Sequence, residues 1–141
     1  MSRARILIVE DDADHGRSLL EAIGDLDVEA RMVATGQAGV EAFRTGGADV
    51  VLSDLVLPDI DGIDVLRKIR EIDGGQTPLI LMTAYGSVDS SVRAMKEGAY
   101  DYLQKPLDID DLQAKLTRAL EAARLRKQVE RLSEEVRGKW T

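Results

Sequence analysis

Apolar residues follow two rhythms along this chain. Ile6–Val9, Val50–Leu52 and Leu79–Met82 are short unbroken runs, the pattern of strands covered on both faces. Glu29 to Val33 alternates more weakly, and Tyr100 to Gln104 makes a short fifth strand closed by Lys105-Pro106. Between these runs the spacing turns helical. Leu19, Leu20 and Ile23 predict a helix ending near Gly24, and Val40 and Phe43 one that opens at the N-cap Thr35 and stops at Gly46-Gly47. Ile63, Leu66, Ile69 and Ile72 recur every three or four residues, an amphipathic helix. Ser87 to Gly98 reads as a helix whose larger apolar residues are Val88, Val92 and Met95, and Asp108 caps a long final one.

Strands alternating with helices imply a parallel sheet with helices on both faces. The second strand is the most polar and belongs at an edge. The expected fold is therefore α/β, a flavodoxin-like five-stranded sheet of order 2-1-3-4-5, with an extended C-terminal helix.

Composition narrows the function. A chain of 141 residues that is 44% hydrophobic and 32% charged has the makings of one soluble domain with a real core. The absence of cysteine removes disulfides and thiolate metal sites. No apolar run nears the ~20 residues of a membrane span and no signal peptide is recognisable, so a cytoplasmic location is expected. A net charge of −7 argues against direct nucleic-acid contact by this chain.

Candidate chemistry lies at the strand ends. Glu10 and Asp11 follow the first strand, Asp54 the third, Thr83 the fourth and Lys105 the fifth. Parallel strands bring these ends to one rim, where open α/β sheets place their ligands. Two like charges 4 Å apart repel by roughly 4 kcal/mol at an effective dielectric of 20, so three carboxylates there call for a cation. Oxygen ligands without His or Cys suggest Mg²⁺. The set suits phosphoryl transfer to Asp54, with metal and Lys105 neutralising the moving charge. Singly, each residue has a plainer reading. Asp54 could be a solvated loop acid, Glu10-Asp11-Asp12 a negatively charged helix start, and Lys105 a solvated loop lysine. His15 reads as an exposed helix residue.

ILIVEDD, SDLVLPDIDG, LMTAYG and GAYDYLQKP resemble, in order and spacing, the motifs of receiver domains of bacterial two-component response regulators. The likeness runs from about Arg5 to Arg124. It implies that Asp54 accepts a phosphoryl group from a sensor histidine kinase, and that Asp11 binds Mg²⁺ directly while Glu10 acts through water. Asp54 and the Val56 carbonyl would complete the protein ligands. Thr83 would be the switch hydroxyl, Lys105 the phosphoryl contact, Tyr102 the switch aromatic, and the Lys105-Pro106 bond cis. Glu10 stands where the family more often has aspartate. Tyr85 is a second aromatic that could gate the site.

From Asp108 to Lys139 about 31 helical residues would span roughly 46 Å, more than the ~35 Å width of such a domain. Leu112, Leu116, Ala119 and Ala123 share one sector. Leu125, Val129, Leu132 and Val136 fall nearly opposite, spaced as a coiled-coil seam, with Glu121 set to meet a partner's Arg126. The expectation is a receiver at 1–124 and a helical linker at 125–141 that pairs two chains. The GAYDYLQKP motif with its RALEAARL linker is similar to the nitrogen-regulation class of activators. That resemblance implies a transcriptional output domain after Thr141, the only route to DNA. The rival reading is a Mg²⁺-dependent phosphohydrolase with an aspartyl nucleophile. Such enzymes carry a general acid two residues later, where this chain has Val56. A nucleotide-binding flavodoxin-like role is opposed by the acidic loop after the first strand.

Overall fold

The computed structural model of the chain describes residues 3–84 and 88–140. Among these, β1 (Ala4–Val9), β2 (Val28–Val33), β3 (Val50–Asp54), β4 (Leu79–Thr83) and β5 (Asp101–Gln104) alternate with α1 (Ala13–Ile23), α2 (Gly36–Gly46), α3 (Gly62–Asp73), α4 (Val88–Lys96) and α5 (Ile109–Trp140). All strand pairs are parallel and the order is β2-β1-β3-β4-β5, as the pattern predicts. The polar β2 is indeed an edge.

Alternate side chains of the buried strands feed two cores. Ile6, Ile8, Leu52 and Met82 face Leu19 and Ile23 of α1 and Leu112 and Leu116 of α5. Leu7, Val9, Val51 and Leu81 face Val40, Phe43, Leu66 and Ile69 of α2 and α3. Burial on both sides explains the unbroken apolar runs of β1, β3 and β4. Caps fix several helix starts. Thr35 accepts from Ala38 N–H, Asp61 and Asp64 form a capping box, and Asp108 accepts from Asp110 and Asp111 N–H.

Among the described residues, the larger apolar residues of α4 are not its buried ones. Val92 and Met95 are exposed, and the residue turned to the sheet is the small Ala94. Ile72, at the end of α3, is also exposed. A helical apolar stripe marks a sticky side, but it does not say which neighbour covers it. The side chain of Val88 lies outside the described residues, as do Tyr85 and Ser87.

α5 divides as its two stripes predict. Leu112, Leu116, Ala119 and Ala123 are at most 3% exposed, whereas Leu125, Val129, Leu132 and Val136 are 48–62% exposed. At the crossover, Arg126 donates to the Gln76 carbonyl and Lys127 pairs with the buried Asp49.

Candidate functional site

Strand register builds the rim. Val9 stands opposite Ser53, Asp54 opposite Met82, and Thr83 opposite Gln104. The next residues, Glu10 and Lys105, therefore emerge close to Asp54. The Asp54 carboxylate is buried and takes Lys105 Nζ at 2.6 Å on Oδ2 and Val56 N–H at 3.2 Å on Oδ1. The turn beyond it is closed by Gly62, whose N–H donates to Leu55 O at 2.8 Å. A Cβ on Gly62 would stand 2.5 Å from the Asp54 carbonyl oxygen, so only glycine permits this approach.

Glu10 follows β1 with its N–H on Val33 O at 3.0 Å, and the residue is 1% exposed. Oε1 receives Lys105 Nζ at 3.2 Å and meets the His15 ring. Oε2 is buried with no hydrogen-bond partner among the described residues. Burial, then the neighbouring Asp54 carboxylate, push the Glu10 carboxyl above its ordinary range, and His15 and Lys105 offset only part of this. Burial pulls the Lys105 ammonium down, but its contacts with Asp54 and Glu10 outweigh that and raise it.

Glu10, Asp11 and Asp54 each offer an oxygen within 4.8 Å of the others. Asp11 is exposed, and Asp12, not Glu10 or Asp11, caps α1. Two observations fit a hard divalent cation here. The donors are all oxygen, and one buried carboxylate oxygen lacks a donor.

Thr83 is buried at the end of β4, and its carbonyl accepts Lys105 N–H at 2.7 Å. The Lys105-Pro106 bond is cis, as the resemblance implies. Tyr102 lies apart from the acids. It is half-buried on β5, with Lys115 Nζ 5.4 Å from its ring centre, and lines a hollow of about 370 Å³ with Ser91, Val92, Met95 and Lys96 of α4. The expectation for His15 is corrected: the ring is only part-exposed and touches Glu10. Sequence spacing could not show this, because the side chain turns back from the first turn of α1 to the strand before it.

Sheet and site together define a flavodoxin-like α/β domain with an acidic pocket at the β1/β3 switch point, where the strand order reverses. Residues 6–117 match the response regulator receiver domain, and the chain belongs to that family. It is 36% identical over 136 residues to the regulatory protein AtoC of Escherichia coli K12, covering 96% of this chain and 29% of AtoC. It is 35% identical over 128 residues to the DNA-binding transcriptional regulator NtrC of Proteus hauseri, covering 91% and 27%. The signal receiver domain of a Luxo repressor protein from Vibrio parahaemolyticus superposes with a TM-score of 0.85 at 33% identity, covering 92% of this chain and 98% of that one. The expected similarity to the nitrogen-regulation class is thus met. The chain spans less than a third of the length of these full-length regulators. No helix among the described residues is long and apolar enough to cross a membrane.

Proposed function

We propose that Asp54 is the phosphoacceptor of a signalling switch that takes its phosphoryl group from a sensor histidine kinase. The observation that carries this reading is the buried Asp54 carboxylate held by Lys105 at 2.6 Å beside two further acids. An Asp54 oxygen attacks phosphorus as the N–P bond of the phosphohistidine breaks, and the bonding pair stays on the imidazole. The product is an acyl phosphate on Asp54. Lys105 moves from carboxylate to phosphoryl oxygens, and the Thr83 hydroxyl donates to them. Glu10, Asp11, Asp54 and the Val56 carbonyl would hold Mg²⁺. When bound, the ion supplies positive charge against the acids and the phosphoryl oxygens. The domain assists only its own phosphorylation and dephosphorylation.

Tyr102 serves as the switch aromatic. Its place beside the hollow under α4 supports a ring that changes position when Thr83 does. Residues 1–124 form the receiver and 125–141 a linker, through which two copies pair by the seam of Leu125, Val129, Leu132 and Val136. In the single chain Glu121 already pairs with Arg124, and Arg126 with Gln76, so the apolar seam and not the Glu121–Arg126 pair carries the dimer. The output is transcriptional control in the cytoplasm, with DNA contacted by a further domain, as the names of AtoC and NtrC suggest.

Incubation with Mg²⁺ and acetyl phosphate tests the switch against a phosphohydrolase. One phosphoryl group per chain, lost in Asp54→Asn, is expected. Continuous turnover of a phosphate ester would contradict it. Val56, exposed and apolar where such an enzyme needs a general acid, argues for the first outcome.

A further inference from the structure

Glutamate at the end of β1 raises a positioning problem. Its carboxylate has one more torsion to fix than an aspartate, and it must be fixed in a buried site. Two donors converge on the same oxygen, Oε1: Lys105 Nζ at 3.2 Å and the His15 ring. Lys105 is shared, because it lies closer to Asp54, at 2.6 Å. Among the described residues, His15 makes no other side-chain hydrogen bond or ion pair. With Glu10 ionised, which can only accept, Nδ1–H of His15 is the donor. His15 sits in the first turn of α1, where its own N–H is tied to the capping Asp12 at 3.2 Å. The ring therefore projects back from a fixed point. Pinning Oε1 leaves the unmatched Oε2 as the oxygen free for a ligand.

We infer that His15 is a positioning residue for the cation site, anchoring Glu10 through Oε1 so that Oε2 is presented to the divalent ion. The inference rests on the Mg²⁺ reading above. Groups that orient metal-binding carboxylates typically change affinity 10–100-fold when removed. His15 shares with Lys105 the holding of Glu10, and the ammonium lies closer to Asp54.

The test is calorimetric Mg²⁺ titration of the full chain, with the urea midpoint in EDTA as a second readout. His15→Leu removes the donor and should weaken Mg²⁺ binding about tenfold. His15→Asn restores an N–H near the Nδ1 position and should bind within about threefold of the parent. In a Glu10→Asp background, where the shorter carboxylate stops short of the ring, His15→Leu should cost less than about twofold, a coupling read by the double-mutant cycle. His15→Ala is the second donor-less variant if leucine prevents folding. Donor-less variants that match the parent in Mg²⁺ affinity overturn the inference, and so does an asparagine variant as weak as leucine. A parent chain that takes up no Mg²⁺ overturns the cation reading with it. Parent binding with an unchanged His15→Leu overturns the role of His15 alone.

Discussion

Glu10 is a buried acid whose unmatched oxygen makes its charged form costly without a cation. Its carboxyl is raised in the folded chain. A raised folded value means stability is fully present below the ordinary value of 4.5 and is lost as pH rises through the higher one. The metal-free domain should therefore lose stability as pH rises above 4.5. Glu10→Gln removes the charge, and its amide can donate to Asp54. An unsatisfied buried group costs about 1–3 kcal/mol, so this variant should gain on the order of 1 kcal/mol in EDTA at pH 7. It should also flatten the pH dependence and bind Mg²⁺ more weakly. Urea denaturation at several pH values checks this, and a less stable variant would contradict it. At this scale the sequence was informative about where Asp54, Thr83 and Lys105 lie, because each ends or directly follows a recognisable strand. It was silent about His15, whose role depends on a side chain folding back across a turn.

Among the elements, α5 has the most to reveal. Where its buried stripe ends, Lys127 meets Asp49, which also accepts Arg5 N–H at 2.7 Å. Burial pushes the Asp49 carboxyl up, but Lys127 and the Arg5 N–H outweigh it and hold it below the ordinary 3.8. A lowered value contributes stability above 3.8 that is lost as pH falls through the folded value. Asp49→Asn should therefore destabilise by about 1–3 kcal/mol at neutral pH, with the deficit shrinking in acid. Faster amide exchange in residues 125–138 is expected alongside it. Unchanged exchange there would mean that the pair does not anchor the linker. The two stripes of α5 could be read from spacing alone, since a helix cannot bury opposite faces against one sheet. α4 could not be read this way. Val92 and Met95 form a stripe that stays in solvent, and the packing is done by Ala94, too small to stand out in the pattern.

For the whole molecule, topology was the most legible feature. Parallel strands buried on both faces write continuous apolar runs, and a polar strand goes to the edge. That arrangement brings residues up to 95 positions apart into contact, as Lys105 and Glu10 show. The pairing proposed for two chains rests on the part of α5 beyond the domain. Its four large apolar residues are about half or more exposed in the single chain. Removing residues 125–141 should leave the receiver folded and shift its sedimentation to a monomer, whereas an unchanged mass would remove the dimer. The central claim concerns one carboxylate. After reaction with Mg²⁺ and acetyl phosphate, borohydride reduction turns an aspartyl phosphate into homoserine, which peptide mapping can locate. The account predicts homoserine at position 54 and none in Asp54→Asn. Labelling at Asp11 or Asp59 in its place, or at no aspartate, would contradict it.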